Sequence, residues 1–255
     1  MGKRLAYVVA VAAPPPISGG GGTSTVFAPL PGAESDARNL TDLLVAEGVQ
    51  TVVRTAPEST TRTGVLDELD SLVDSLHPGD LFVFTFAGHG WQLADDGGDE
   101  ETDGLDEVLL LSDGALRDDR FGQLWKRVRS GVRVVCLVDA CHSSSAMLGM
   151  RPRKGGPPVP TIAPRLAGGP SILVWAACQD SESAFEGAGT SGDVGALTDS
   201  FLDAWNAGAR VTYSQLWEKT ATTFATRFPK LVEFQHPAMR FSGPDASMLA
   251  DAPFA

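Results

Sequence analysis

The chain has 255 residues, of which 43% are hydrophobic and 20% are charged, an ordinary composition for a globular protein. This length favours one large domain with a substantial buried core. A formal net charge of −12 argues against nucleic-acid binding, because phosphate contacts need clustered Lys and Arg. The acidic balance instead favours attraction of basic substrates or divalent cations.

The cysteine count and the hydropathy pattern limit the cellular locations in which we expect the protein. Cys136, Cys141 and Cys178 are too few, and odd in number, to form a disulfide framework, so we expect a reducing compartment such as the cytoplasm. No apolar stretch reaches the roughly 18 residues that a membrane-spanning helix needs. We therefore expect neither a nucleic acid nor a membrane as a partner.

The N-terminal segment allows two interpretations. Lys3 and Arg4 precede an apolar run over residues 5–13, which is the pattern of a short signal peptide. The same run is rich in β-forming residues and stops at three consecutive prolines, which is the pattern of a buried strand. We favour the strand, and cleavage of this segment would remove a strand from the predicted sheet.

Strands and helices alternate along the rest of the chain. Apolar runs with little alternation, typical of strands covered on both faces, lie at residues 5–12, 81–87, 132–138 and 172–176, with a weaker run at 50–54. Amphipathic helical patterns lie at residues 35–47, 63–76, 118–129, 194–207 and 213–228. This alternation predicts an α/β fold whose sheet is mostly parallel.

Three segments have the composition of flexible loops. They cover residues 14–31, 95–107 and 151–170, and they are rich in Gly, Pro or acidic residues. The first contains four consecutive glycines at 19–22. Because no Gly-Lys-Ser or Gly-Lys-Thr follows them, we interpret this stretch as a loop and not as a phosphate-binding cradle.

Two predicted strands end in reactive side chains. One leads into Ala87-Gly88-His89-Gly90, and the other leads into Asp139-Ala140-Cys141-His142-Ser143. Sites in open α/β sheets form at the carboxyl ends of strands, so we expect His89 and Cys141 to share a crevice. A thiolate attacks acyl carbons, and a nearby imidazole raises the thiolate fraction or protonates a leaving amine. Taken singly, each residue also has a structural interpretation, as a buried thiol or a turn histidine.

The two motifs together resemble the catalytic motifs of metacaspases, within the caspase-like peptidase clan. His89 precedes Cys141 by 52 residues, near the roughly 50 that separate the pair in caspases. The acidic stretch at 97–107 resembles the metacaspase segment after the catalytic His, and the likeness extends over about residues 3–240. It implies a single caspase-like domain over residues 1–255, with a mostly parallel six-stranded sheet flanked by helices on both faces.

The resemblance implies a cysteine endopeptidase that acts through a Cys141–His89 dyad without a third catalytic residue. Backbone N–H groups of Gly90 and Cys141 would stabilise the oxyanion of the transition state. Metacaspases are associated with regulated proteolysis in stress, defence or cell death, and they are typically monomers. A catalytically silent module that acts by binding partners remains the alternative from another class.

The resemblance also implies cleavage after Arg or Lys. Asp36 and Asp139 match the acidic specificity pocket of the family, and paired carboxylates suit a guanidinium or an ammonium group. Asp36 has a structural alternative, as a residue at the positive end of a helix. Metacaspases usually carry Ser at the pocket position that Ala87 occupies here, so the same dyad with a non-basic specificity remains open.

Calcium activation is a further implication of the resemblance. Asp103, Asp118 and Asp119 lie where the family's Ca²⁺ ligands are expected, and hard oxygen ligands suit this cation. A further family Asp after the nucleophile is missing, because Ala146-Met147-Leu148-Gly149 occupies that region. In the alternative interpretation Asp118 and Asp119 begin a helix, and the spacing does not match an EF-hand loop.

The basic loop after the predicted nucleophile has two interpretations. Loops at this place are cut during activation in the family, and a peptidase with basic specificity could cut its own. The alternative is a surface linker whose charges aid solubility. The candidate self-cleavage residues are Arg151, Arg153, Lys154 and Arg165.

Overall fold

The computed structural model describes residues 2–18, 24–94, 105–141, 147, 161–163, 168–179, 184, 186–189, 192–208 and 212–255. The helices are α1 Gly32–Ala46, α2 Arg62–Asp74, α3 Asp119–Trp125, α4 Ala196–Asn206 and α5 Tyr213–Arg227. The strands are β1 Arg4–Val11, β2 Ile17–Ser18, β3 Ser24–Thr25, β4 Gln50–Arg54, β5 Leu81–Gly88, β6 Gly90–Ala94, β7 Leu105–Leu111, β8 Gly114–Arg117, β9 Arg133–Asp139, β10 Thr161–Ala163, β11 Ser171–Ala176, β12 Glu186–Gly189, β13 Gly192–Gly195 and β14 Ala238–Ser242.

The main sheet has the strand order β10-β14-β11-β9-β5-β1-β4. Strands β4, β1, β5, β9 and β11 are parallel to their neighbours, and β14 runs antiparallel to β11. The predicted six-stranded, mostly parallel sheet is confirmed, and the short strand β10 extends it at one edge. The interpretation of residues 5–11 as a strand is also confirmed, since β1 lies inside the sheet between β5 and β4.

Helices cover both faces of this sheet. Successive side chains of a strand point to opposite faces, and β1 shows the consequence. Its odd-numbered residues pack with the apolar sides of α2 and α3, whereas its even-numbered residues pack with α1, α4 and α5. The central strands β1, β5, β9 and β11 are therefore apolar on both faces, which explains why their sequence runs show little alternation.

Helix α3 is shorter than the pattern over residues 118–129 predicts. It ends at Trp125, a fully buried residue whose indole N–H donates a 2.5 Å hydrogen bond to the Met147 carbonyl. Beyond it, the N–H groups of Arg127 and Val128 bond to carbonyls three residues back, at 3.0 and 3.2 Å. This tighter winding ends the α-helix while still satisfying the last carbonyls.

A second sheet follows directly after His89. Strands β6, β7 and β8 form an antiparallel sheet that the sequence patterns did not indicate. Strand β7 begins at Leu105, inside the predicted loop 95–107, and its Leu110 N–H donates to the His89 carbonyl at 2.9 Å. This sheet therefore fixes the backbone that leaves the candidate base. Across the described part of the chain, every helix is too short or too polar to cross a bilayer.

Candidate active site

One cleft lies at the carboxyl ends of β5 and β9. His89 directly follows β5, and Cys141 comes two residues after the end of β9. Both side chains line this cleft, as expected for residues at neighbouring ends of parallel strands. Other lining residues come from the start of α1 and from the junction before α4, and the full lining comprises Leu30, Ala33, Asp36, Gly88, His89, Asp139, Cys141, Ala184 and Gly195.

A backbone carbonyl orients the His89 ring. Its Nε2 atom lies 2.7 Å from the carbonyl oxygen of Ala28. A carbonyl oxygen only accepts hydrogen bonds, so Nε2 carries the proton and Nδ1 is the basic nitrogen of the neutral ring. The Phe27 ring packs on the imidazole with centroids 5.1 Å apart. Ala28 therefore holds the histidine in one tautomer, a role that no side chain in the sequence could reveal.

The Cys141 thiol lies in a polar, accessible setting. It is half-buried, and the Ala184 N–H donates a hydrogen bond to its sulfur at 3.2 Å. A donor at this place stabilises negative charge on the sulfur. Cys136 is the contrasting case, because complete burial raises the pKa of its thiol far above the ordinary value. Cys178 is also buried and donates to the Ala140 carbonyl at 3.4 Å, next to Cys141.

Gly90 packs directly against the backbone of Cys141. A Cβ atom built on Gly90 would overlap the carbonyl oxygen of Cys141, so a larger residue cannot occupy this position without displacing the Cys141 backbone. The two residues predicted to supply the oxyanion donors are therefore in contact. This arrangement explains physically why the histidine is followed by glycine.

Two buried carboxylates line the cleft next to Gly195. Asp36 lies on α1 and is 2% exposed, and Asp139 is the last residue of β9 and is 7% exposed. On β9, Val135 and Leu137 pack on the side of α1 and α4, and the period of two places Asp139 on this same face. The strand alternation thus directs Asp139 toward Asp36.

The start of α4 binds both carboxylates. The Gly195 N–H, just before the helix, donates to both oxygens of Asp36, at 3.1 and 3.0 Å. Thr198 donates from its N–H and its hydroxyl to Oδ2 of Asp139, at 2.9 and 3.0 Å. These bonds fix the positions of both carboxylates at the start of α4. Asp36 therefore lines the cleft, in addition to lying in the first part of its own helix.

The sequence patterns did not identify Gly195 and Thr198, because their hydrogen-bond partners are far away in sequence. Gly195 lies 159 residues after Asp36, and Thr198 lies 59 residues after Asp139. A side chain at 195 would overlap Oδ2 of Asp139 and come within 2.8 Å of Oδ2 of Asp36. The glycine therefore leaves room for the carboxylate pair.

Ala87 lies beside the acidic pair. It is buried and stands opposite Asp139 in the register between β5 and β9. Both residues therefore point to the same face of the sheet. The methyl group of Ala87 offers no hydrogen bond at a place where a hydroxyl would reach the surroundings of Asp139.

The candidate calcium ligands are only partly described. Asp118 is 4% exposed and precedes α3, Asp119 is its first residue, and Asp103 lies outside the described residues. Asp118 and Asp119 thus begin α3, as the alternative interpretation expects, although the Asp118 carboxylate makes no capping hydrogen bond to this helix. The two aspartates offer hard oxygen ligands, which suit Ca²⁺, but Ca²⁺ needs six to eight. In the described part of the chain, no three His, Cys, Asp or Glu side chains converge as a metal site would require.

The candidate self-cleavage residues belong to the basic loop after Cys141. Arg151, Arg153, Lys154 and Arg165 lie outside the described residues. Cleavage within this loop stays a prediction.

Known proteins are similar to this chain in architecture and in sequence. A crystal structure of a Geobacter sulfurreducens protein matches with a TM-score of 0.73 and 26% sequence identity, over 99% of this chain and 98% of that one. Metacaspase-2 from Arabidopsis thaliana is 32% identical over 187 residues, which are 67% of this chain and 44% of the plant protein. Metacaspase-1A from Aspergillus fumigatus is 39% identical over 92 residues, or 34% of this chain and 22% of the fungal protein.

The fold and the cleft define a caspase-like α/β protein. Residues 24–149 match the family model described as metacaspase, peptidase C14 domain, and this range contains His89, Cys141, Asp36 and Asp139. The chain belongs to the metacaspase-like members of the peptidase C14 family of cysteine peptidases. It spans less than half the length of these two curated metacaspases.

Proposed function

We propose that this chain is a cysteine endopeptidase that hydrolyses protein substrates after Arg, and also after Lys. The observation that supports this most strongly is the position of Asp36 and Asp139, buried in the same cleft as Cys141 and His89. A guanidinium group binds carboxylates through charge-assisted hydrogen bonds, and an ammonium group binds them as a point charge. The cleft thus offers a cation site beside a thiol and an imidazole.

The proposed reaction uses the dyad in two steps. Nδ1 of His89 takes the proton of the Cys141 thiol, the resulting thiolate attacks the scissile carbonyl carbon, and N–H groups of Gly90 and Cys141 bind the oxyanion that forms. His89 gives its Nδ1 proton to the departing amine as the C–N bond breaks, leaving an acyl-enzyme. His89 then takes a proton from water, the water oxygen attacks the acyl carbon, and the thiolate leaves. The Ala28 carbonyl holds the imidazole throughout, acting as a positioning group.

Ala87 favours a second candidate function, in which the same dyad cleaves after residues other than Arg and Lys. The methyl group supplies no hydrogen bond to a basic side chain, which weakens the acidic site relative to one with a hydroxyl. If this loss dominates, the dyad cleaves after other residues. A chain that cleaves nothing would be a silent binding module.

A panel of quenched peptides that differ only at P1, the residue before the scissile bond, tests the proposal. We expect kcat/KM to be highest for Arg, lower for Lys, and lower than for Arg by on the order of 10²-fold for Gln and for Asp. Equal rates for Gln and Arg would support the non-basic specificity. Hydrolysis of no peptide, with and without Ca²⁺, would support the silent module.

Gly195→Ala is expected to impair the cation site while preserving the fold. Gly195 has φ −61° and ψ 139°, which alanine adopts without strain, so the added Cβ acts through its overlap with Asp139. We expect kcat/KM for the Arg peptide to fall by at least about tenfold, mostly through KM. Steady-state kinetics and thermal unfolding measure the two effects. An unchanged KM in a folded variant would argue against Gly195 as part of the pocket.

We also propose Ca²⁺ as an activator that Asp118 and Asp119 help to bind. Asp118→Asn is expected to raise the Ca²⁺ concentration for half-maximal activity by about tenfold, because the carboxylate is lost and the side-chain volume is kept. Asp113→Asn is the matched control, since Asp113 is an exposed residue that pairs with Arg62 at 3.6 Å. Full activity of the wild type in a chelator would refute the calcium proposal and leave the peptidase proposal standing.

The remaining features of the proposal concern the cellular setting. The structure contains three free cysteines, and a catalytic thiol must stay reduced, so we propose action in the cytoplasm. We propose regulated proteolysis by a monomer, with cleavage at one of the basic residues between 151 and 165 as an activating step. Intact-mass measurement of the wild type and of a Cys141 variant, each incubated with Ca²⁺, tests this self-cleavage.

A further inference from the structure

An aromatic row continues outward from the candidate base. The Phe27 ring lies 5.1 Å from the His89 ring, and the Trp91 ring meets Phe27 edge-on at 5.5 Å. Trp91 is 37% exposed and lies on β6, two residues after His89. We call Phe27 and Trp91 the aromatic ledge. An exposed tryptophan this close to a candidate base needs a reason, because large apolar side chains at surfaces often mark binding sites.

The ledge is distinct from the acidic pocket, because neither Phe27 nor Trp91 is among the residues that line the cleft. Leu30, from the same segment as Phe27, lines the cleft that contains Asp36 and Asp139. Its N–H donates to the Ala12 carbonyl at 2.7 Å, which anchors the segment to the end of β1. Phe27 packs instead on the His89 ring, and Trp91 lies beyond Phe27. His89 therefore borders both a cation site and an apolar surface.

The proposed reaction places one substrate residue at the acidic cleft and the next one at the ledge. The P1 side chain enters the acidic cleft, and the departing amine must reach His89 to receive its proton. The residue that carries this amine, P1′, then lies over the imidazole and next to the ledge. We propose that the aromatic ledge binds the P1′ side chain and makes the peptidase prefer an apolar or aromatic residue there. This inference rests on the proposed peptidase function.

If the ledge only supported the structure, replacing its residues would have a different effect on the rates. Phe27 contacts the imidazole directly, so its removal would disturb the base and the substrate together. Trp91 contacts Phe27 and not the imidazole in the ring contacts described here, and its 37% exposed surface is accessible to a bound side chain. Aromatic contacts of this type change rates by roughly tenfold or less. Trp91 is therefore the residue whose replacement separates binding of P1′ from positioning of the base.

The test compares two quenched peptides with Arg at P1 that differ only at P1′, which is Phe or Gly. For the wild type we expect kcat/KM for the Phe peptide to exceed that for the Gly peptide by about tenfold. In Trp91→Ala we expect this ratio to fall to nearly one, and in Trp91→Phe to be largely restored. A mere structural role for Trp91 would lower both rates and keep their ratio.

The matched control is Phe234→Ala, because Phe234 is an aromatic residue with 60% exposure in a different part of the chain. It should keep the wild-type ratio. A wild type with equal rates on both peptides, or a Trp91→Ala variant with an unchanged ratio, would overturn the ledge proposal alone. Hydrolysis of neither peptide by the wild type, under any Ca²⁺ condition, would instead count against the peptidase function on which the ledge depends.

Discussion

Cys141→Ala is expected to abolish hydrolysis of Arg peptides, with a loss in kcat on the order of 10⁴-fold or more. Removal of the sulfur takes away the group that forms the acyl-enzyme, and His89 alone has no nucleophile to activate. The fold should be intact, because Cys141 is half-buried and alanine keeps its Cβ atom while it loses the sulfur, which accepts from the Ala184 N–H at 3.2 Å. Steady-state kinetics with a thermal-unfolding measurement checks both expectations.

Cys136→Ala is the matched control for this loss. The Cys136 thiol is fully buried in the core on the α2 and α3 side of β9, and burial holds it in the neutral form. Its replacement should cost about 1 kcal/mol of stability and leave kcat within about twofold. Retained hydrolysis in Cys141→Ala would remove Cys141 from the mechanism.

Asp139→Asn is expected to abolish the proposed preference for Arg over Gln. The variant keeps the shape of the side chain, and its carbonyl oxygen can still accept from Thr198, at the position where Oδ2 accepts at 2.9 and 3.0 Å. Its amide NH₂ then faces the pocket and repels a guanidinium. We expect kcat/KM for the Arg peptide to fall by on the order of 10²-fold, while the Gln peptide changes little.

The double variant with Asp36→Asn extends this test. It should lower the Arg rate further, because both buried negative charges are then gone. Asp70→Asn is the matched control, since Asp70 is a partly exposed acid that pairs with Arg127 at 2.6 Å and belongs to α2, on the opposite side of the sheet. An Arg-to-Gln ratio unchanged in the double variant would show that the carboxylates do not determine specificity.

The sequence predicts the main sheet because its strands carry a local signal. The runs that became β1, β5, β9 and β11 are apolar on both faces, and few other structures give short uninterrupted apolar runs between amphipathic helices. The antiparallel sheet of β6, β7 and β8 carries no such signal. Its strand β7 begins with Leu105-Asp106-Glu107 at the end of an acidic stretch, and the two acids are buried by contacts that form only in three dimensions.

The candidate site likewise contains residues that the sequence indicates and residues that it does not. His89 and Cys141 can be identified as candidates from the sequence because they are reactive residue types that follow predicted strands. Ala28 and Ala184 act through backbone groups, so their residue types are uninformative. Gly195 contributes through the side chain that it lacks and through an N–H bond to a residue far away in sequence. Groups of this kind become visible only once the chain is folded.

The most direct test of the central claim is covalent labelling with a peptidyl acyloxymethyl ketone that ends in Arg. We predict that mass spectrometry of the digested protein locates one adduct, on Cys141, and that an otherwise identical probe ending in Asp gives little. An excess of the Arg peptide should slow the labelling. Labelling of another cysteine, or equal labelling by the Asp probe, would contradict the claim that the thiol, the imidazole and the acidic pair form one peptidase site.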